Sequence, residues 1–418
     1  MSKRLLAVLV SSVALGWTGV AMAQDAQRGV GVADRERPDY DPIGIRAGGF
    51  IVYPSITGSV AYTDNLFKQD TNEQDDVVFA VTPAVSVESQ WSRHALNLAA
   101  DLTTKAHDEN DSDDVTDYSF GADGRLDVTR DSYAAAAVGY RLYHEDRGSP
   151  DLPAQAAEPT EIEEFGADVS YTHRFNRLSL RPAFSYRDLD FDDAGLIGGG
   201  QINNDDRDRD IKEYALRVGY DVSPAFQVFA EGRYNEIEYD NPDDVLGGGT
   251  AFRDSDGYDA LVGTSFDLGA LARGELAVGY TEQDYDSNLL QTVDGFVYEG
   301  SVEWFVTDLT TINVGGARTV EETTLTGAAG YLATSAAVGV DHELRRNILV
   351  GADAFYSNSD YEGITREDDV YGVGVDGTYL LNRNFRLTLE YDFETRESDA
   401  ANSDYDQNTV MLSLRAAL

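Results

Sequence analysis

From residue 50 to the end, apolar and polar residues alternate with a period of two in segment after segment. In FRLTLEYDFETRE, residues 385–397, Leu387, Leu389, Tyr391 and Phe393 share one face, and Arg386, Thr388, Glu390, Asp392 and Glu394 share the other. Successive side chains of a strand point to opposite sides, so this is a strand with one apolar and one polar face. The alternation recurs through Leu178–Arg187, Glu213–Tyr220, Glu164–Thr172 and Val410–Leu418.

A soluble sandwich also alternates, so the connections have to decide what lies on each side. Short turns such as NR after Phe175, PA after Ser223, DL after Thr307 and NRN after Leu381 take turns with longer polar connections such as HDENDSDDVTD, RGSPDLPAQAAEP, AGLIGGGQINNDDRDRD and NPDDVLGGGTAFRDS. Every short turn therefore lies at one end of the strands and every long loop at the other, the asymmetry of outer-membrane barrels. The pattern predicts an all-β fold, a transmembrane antiparallel up-and-down β-barrel of about 18 strands, with 16–20 allowed by the loss or gain of one weak hairpin. The predicted strands are 51–63, 77–90, 95–106, 117–129, 132–145, 162–174, 178–191, 212–223, 226–239, 257–268, 272–285, 296–307, 310–323, 331–343, 347–360, 370–381, 385–397 and 406–418. The hairpin 310–343 is the weakest, because its apolar face is thin. Tyr62, Tyr171, Tyr220, Trp304 and Tyr379 sit near strand ends on apolar faces, where an interfacial girdle would place them.

Upstream of the barrel, Lys3 and Arg4 lead an apolar run that closes on Ala21-Met22-Ala23, the pattern of a secretory signal peptide over residues 1–23. Residues 24–49 would then form a periplasmic segment and 50–418 the barrel. Without cysteine the chain can carry neither a lipoprotein anchor nor a disulfide framework. With 75 acidic against 32 basic residues and a net charge of −43, it would repel nucleic acid. Such charge often marks disorder, but 24 tyrosines and 17 phenylalanines argue for a folded chain.

No pattern speaks for an enzyme, a cofactor or a metal. Of the five histidines, His94 and His173 fall at short turns and His342 at a strand end on the lipid side; only His107 and His144 lie toward the loops, where a barrel hydrolase would need one. The glycine runs 198–200 and 247–249 lack the Lys-Ser/Thr of a phosphate loop, and the acidic stretch 108–117 lacks the glycine and spacing of a calcium loop. Rim carboxylates could bridge through divalent cations to lipopolysaccharide, although a solvated loop surface is the plainer reading. Eighteen strands enclose a lumen too wide for side chains to fill. Its predicted lining carries both signs: Arg141, Arg181, Arg187, Arg217, Arg233, Arg386 and Arg415 against Asp168, Glu231, Glu275, Asp353, Glu390 and Asp392. Either such charges orient polar solutes in a transverse field or they hold strand register. The loops at 146–161 and 192–211 are the longest, and each is a candidate constriction.

Residues 35–46, RERPDYDPIGIR, followed by Gly48-Gly49-Phe50, Tyr53-Pro54-Ser55 and Tyr62-Thr63-Asp64-Asn65-Leu66-Phe67, resemble the entry to barrels of the Putative beta-barrel porin 2 family. The resemblance implies a Gram-negative outer-membrane barrel, in a family often associated with exopolysaccharide production and export, and no catalytic residues. Its end departs from the usual barrel pattern, since Leu418 stands where the insertion machinery ordinarily meets an aromatic residue. The functional expectation is a porin-like channel for polar solutes or an exit pore for a secreted exopolysaccharide, the alternative being a structural or adhesive barrel with no open channel. Expected partners are outer-membrane lipid and lipopolysaccharide, the barrel-insertion machinery and a periplasmic polysaccharide exporter. Residues 35–50 remain open between a solvated linker, a short plug and a docking strip.

Overall fold

The computed structural model describes residues 29–153, 156–245 and 250–418. The expected signal peptide, residues 1–23, lies outside them. Eighteen long strands form the barrel wall: β1 (Phe50–Thr63), β2 (Asp76–Ser89), β3 (Ala95–His107), β4 (Val115–Asp127), β5 (Ser132–His144), β6 (Glu161–Phe175), β7 (Leu178–Phe191), β8 (Arg209–Ser223), β9 (Phe226–Tyr239), β10 (Ser255–Asp267), β11 (Ala272–Tyr285), β12 (Val293–Thr307), β13 (Thr310–Glu322), β14 (Gly330–Arg345), β15 (Ile348–Tyr361), β16 (Glu367–Leu380), β17 (Phe385–Ser398) and β18 (Tyr405–Ala417). Each pairs antiparallel with the next, and β1 closes on β18 from Ser55↔Ala417 to Thr63↔Thr409. Helical structure among the described residues is limited to two 3-10 turns, Asp111–Asp113 and Asp205–Arg207.

The largest departures from the expected boundaries are at β8, β12 and β16, which start at Arg209, Val293 and Glu367 rather than at 212, 296 and 370. These starts lie at the loop end, where the ladder of backbone hydrogen bonds runs on above the lipid. Neither face meets hydrocarbon there, so the residues lose the lipid-imposed alternation that a sequence reading detects.

At the seam, β18 is too short to cover the whole edge of β1. The chain completes that edge with its own preceding residues, because Ile45–Ala47 pair with Phe50–Val52 through a two-residue turn at Gly48-Gly49. Gly48 holds φ +63°, the left-handed conformation that glycine adopts without strain. The patch is joined to the strand end by Gly44 N–H donating to Leu418 O at 3.1 Å, while Leu418 N–H donates to Pro54 O at 3.2 Å.

On the outside, the apolar half of each strand is exposed, as with Val60, Leu216, Val278, Val373 and Leu389. The five expected girdle aromatics are all on this exposed face. Toward the loop end runs a belt of tyrosines that donate to acids of the neighbouring strand or the adjoining loop. Tyr140 bonds Glu163 at 2.7 Å, Tyr234 bonds Asp256 at 2.8 Å, Tyr258 bonds Glu282 at 2.9 Å and Tyr356 bonds Asp369 at 2.7 Å. Tyr186 with Asp210 and Tyr280 with Asp294 continue the belt. A phenol whose ring lies in lipid and whose hydroxyl meets a solvated carboxylate marks the membrane boundary.

The outer face is thus matched to hydrocarbon and the inner face to water. Leu389→Arg, in the apolar band of β17, is expected to destabilise the folded barrel by about 2–4 kcal/mol, whereas Thr388→Arg beside it on the inner face should change little. Reversible urea unfolding in lipid vesicles checks the contrast.

Candidate functional site

All thirteen charged positions singled out in the sequence lie on the face opposite the exposed apolar residues. The structure brings four of them into a network, to which Glu299 adds a fifth member. Arg217 of β8 bonds Glu231 of β9 and reaches Glu275 of β11 at 2.8 Å. Its guanidinium also stacks on Phe229, 4.0 Å from the ring centroid. Arg233 of β9 bonds Glu231 at 2.7 Å and, by two donations, Glu299 of β12. Both arginines reach a strand three away in the wall. Between them the inner positions of β10 and β11 carry Leu261, which is buried, and Gly279. Arg141 pairs with Glu164 of β6, and Arg187 faces Glu213 and, from much farther round, Glu321 of β13. Asp353 of β15 lies beside Asp341 and Asp376, and with Glu390 and Asp392 of β17 they make β14–β17 an acidic wall. Arg181, Arg386, Arg415 and Asp168 form no ion pair among the described residues.

The two mouths are crossed by chain. At the loop end the described parts of the connection between β5 and β6, residues 145–153 and 156–160, reach across the opening. Lys68 of the β1–β2 loop bonds its Asp146 at 2.9 Å, and Arg396 of β17 donates to its Gly148 O. Arg147 pairs with Asp113 of the β3–β4 loop, and Glu145 with Arg207 of the β7–β8 loop. Asp151 accepts from Thr323 Oγ1 at 2.6 Å and from Thr324 N–H at 3.2 Å, on the far side of the barrel. Burial disfavours the Lys68 ammonium, but Asp146 and Glu394 outweigh it and hold its pKa above the ordinary value. Of the two candidate constriction loops, 146–161 is the one that crosses. The β7–β8 connection supports it through a short hairpin, Ala194–Gly195 with Gln201–Ile202.

Thr323 stands where it does because the β13–β14 hairpin leaves the wall. Pairing between β12 and β13 stops at Tyr298↔Arg318, short of the ends of both strands. Beyond that point Tyr239 and Tyr285, on the inner faces of β9 and β11, donate to Glu322 at 2.9 and 3.1 Å. Leu332 and Ala329 pack with Val245, Leu290 and Val293 into a small apolar core. The thin apolar face of hairpin 310–343 has its explanation here, since the upper part of the hairpin faces protein rather than lipid. Arg253, fully buried, holds the assembly: it pairs with Asp243 at 2.7 Å and donates to Ala328 O and Ala329 O at 2.8 and 3.2 Å. As a cation in an acidic, glycine-rich loop it is conspicuous in sequence, but nothing there shows its partners.

At the turn end, residues 29–44 run along the inner side of the other mouth, from the β10–β11 turn to β18. Gly29 lies against Gly269 of the β10–β11 turn and Gly31 against Glu303 of β12. Val32, 1% exposed, donates its N–H to Thr311 Oγ1 of β13 at 3.0 Å. Arg35 and Arg37 both reach Glu343 of β14, at 3.7 and 3.1 Å, and Arg383 of the β16–β17 turn donates to Pro38 O. The segment opened in sequence as a charged, proline-rich prefix is therefore packed along the inner mouth.

The histidines have local roles. His107 bonds Asp114, and His144 bonds Asp117 at 2.8 Å. The acidic loop after β3 is organised by Asp76, which accepts from the backbone N–H groups of Asp108, Glu109 and Asn110.

Taken together, these features define a transmembrane β-barrel whose polar lumen is crossed at both mouths by its own chain. The chain belongs to the Putative beta-barrel porin 2 family, whose profile matches residues 37–418. It is a porin-like barrel of the bacterial outer membrane. No curated protein matches it in sequence. Among solved structures it is similar to Pseudomonas aeruginosa OpdK with vanillate, at 12% identity and TM-score 0.47 over 88% of this chain and 99% of that one. It is also similar to a BenF-like porin from Pseudomonas fluorescens Pf-5, at 10% identity and TM-score 0.45 over 88% and 99%. A third is a variant of the ferric enterobactin receptor PfeA of Pseudomonas aeruginosa, at 6% identity and TM-score 0.46 over 88% and 80%.

Removing Arg253 would leave Asp243 buried without its cation, an error that costs about 3–5 kcal/mol where the pair is fully enclosed. Arg253→Ala should therefore make the 240–254 and 323–329 connections quickly cleaved by protease while the barrel keeps its heat-resistant mobility on gels. The same loops should respond to pH. Burial, and then Asp243, push Asp206 up to about 6, and burial with Asp190, Asp205 and Asp240 pushes Asp208 up to about 6 against the N–H donated by Phe191. A raised carboxyl pKa means that the protonated form is the one the fold favours, so this contribution is complete below about pH 4 and lost as pH rises through 6. Hydrogen exchange of residues 203–208 and 240–245, corrected for the intrinsic pH dependence of amide exchange, should show greater protection at pH 4.5 than at 7.5, and Asp206→Asn should flatten the difference.

Proposed function

We propose that the protein is a gated channel for polar solutes, with the two crossing segments as its resting closure. The observation that carries this reading is Asp151 reaching Thr323 and Thr324 from the opposite side of the mouth. A segment attached by side-chain hydrogen bonds and ion pairs rather than by the strand ladder can be displaced without breaking the wall, whose ladder is independent of it. The inner wall supplies what polar solutes need, a mixed-sign network on β8–β12 facing an acid-rich β14–β17. Short turns of outer-membrane barrels face the periplasm, which puts residues 29–44 on that side.

The finer reading is an exit pore for a secreted exopolysaccharide. It is favoured by the attachment of the turn-end segment, where Arg35 and Arg37 converge on the single acid Glu343. A periplasmic exporter that captured those arginines would release the inner mouth toward its own side.

Planar-bilayer conductance tests the proposal. Deleting residues 29–44 is expected to raise single-channel conductance several-fold. A disulfide made by Val32→Cys with Thr311→Cys, in a chain that has no other cysteine, should hold conductance low until a reductant is added. Silence of the wild type, the deletion and the reduced double variant alike would leave a structural barrel. Loss of surface polysaccharide on gene deletion, restored by the wild type, would support the export reading.

A further inference from the structure

The turn-end mouth carries a cluster of arginines that the network of the wall does not use. Arg386 of β17 and Arg415 of β18 are direct cross-strand partners. Both emerge on the inner face, and both are exposed to the lumen. Like charges directly opposite on adjacent strands repel, and a sheet ordinarily avoids them. Neither guanidinium has an ion pair among the described residues, although the chain carries more than twice as many acids as bases. Arg415 donates to Ser55 Oγ at 3.3 Å, a neutral acceptor. Asp41 of the crossing segment comes within electrostatic reach of Arg386 without pairing to it, and instead accepts the backbone N–H of Arg37.

These arginines open onto a cavity of about 90 Å³ whose other walls include Tyr40, Pro42, Asn382 and Arg383. One water needs roughly 10–15 Å³ on the same measure, so several heavy atoms fit. Arg383 is anchored by its donation to Pro38 O, which ties the cavity to the crossing segment. Guanidinium groups present donors in a planar fork that matches carboxylate and phosphate oxygens two at a time.

We propose that Arg386 and Arg415, with Arg383, form an oxyanion-binding site at the inner mouth, which takes the phosphate or carboxylate group of a small polar solute. An anion between the two opposed guanidiniums would convert their repulsion into a pair of charge-assisted hydrogen bonds. The site stands whether or not the barrel conducts, so its test is a binding measurement. Full-length mature protein, refolded in neutral detergent and checked by heat-modified gel mobility, is titrated calorimetrically with inorganic phosphate, with glucuronate and with glucose.

Saturable binding of phosphate, of glucuronate or of both, with none of glucose, is expected, and the anion that binds identifies the source of the oxygens. Arg386→Gln with Arg415→Gln should weaken it about tenfold or more. Arg181→Gln, on the inner face of β7 and equally without an ion pair, should leave it unchanged. Should the double glutamine variant fail to fold, Arg386→Lys with Arg415→Lys keeps the charge and loses the fork, and a several-fold weakening is expected. Absence of binding by both anions, or binding undiminished in whichever double variant folds, would overturn the proposal.

Discussion

Lipid offers no partner to a backbone N–H or C=O, and this constraint governs the rest of the molecule. Every strand crossing the membrane must find its hydrogen bonds in its neighbours, so the sheet has to close. The weak place is the seam, where β18 reaches only as far down as Ser55 on β1. Residues Ile45–Ala47 fill the remainder of the edge, and the Gly48-Gly49 turn lets the chain double back to do so. The segment just ahead of the barrel is consequently part of its wall at one end and spans its mouth at the other. Its charges and prolines follow from that second task, since it runs through a wet opening where it must be held by side chains rather than by a ladder.

Closure leaves an inner face that must be filled or flooded. In this barrel it is partly crossed, and the crossing elements share one physical style. Each is attached by a small number of polar contacts to positions far round the circumference: Asp151 to Thr323, Arg253 to Ala328 and Ala329, Val32 to Thr311. Such contacts hold a segment in place with far less free energy than the wall itself contains. Displacement of a crossing segment and preservation of the barrel are therefore compatible.

Charge is arranged in three tiers. Carboxylates outside the loop-end boundary receive tyrosine hydroxyls and stay wet. Mid-lumen carboxylates of β9–β12 are matched by arginines that reach three strands along the wall, while those of β14–β17 form an acidic wall. At the turn end the balance inverts, with three arginines around a cavity and no acid paired to Arg386 or Arg415. A chain with a net charge of −43 thus presents a locally basic inner mouth.

Strand number, strand order and the sorting of faces were legible in the sequence because lipid on one side and water on the other impose a period of two that each strand displays locally. The thirteen inner charges could be placed on their face for the same reason. Which of them meet could not be read, because Arg217 to Glu275 and Arg233 to Glu299 depend on the curvature that brings strands three apart within a side chain's length. The inward turn of the β13–β14 hairpin left only a faint trace, a thin apolar face between residues 310 and 343. Residues such as Asp151, Val32 and Arg253 left none that named their partners, since a loop carries no periodicity and its contacts lie up to 279 residues away. Local chemistry alone therefore determined the wall of this protein, and only the closed tertiary structure, by bringing distant rims within a side chain's length, decided what crosses its lumen.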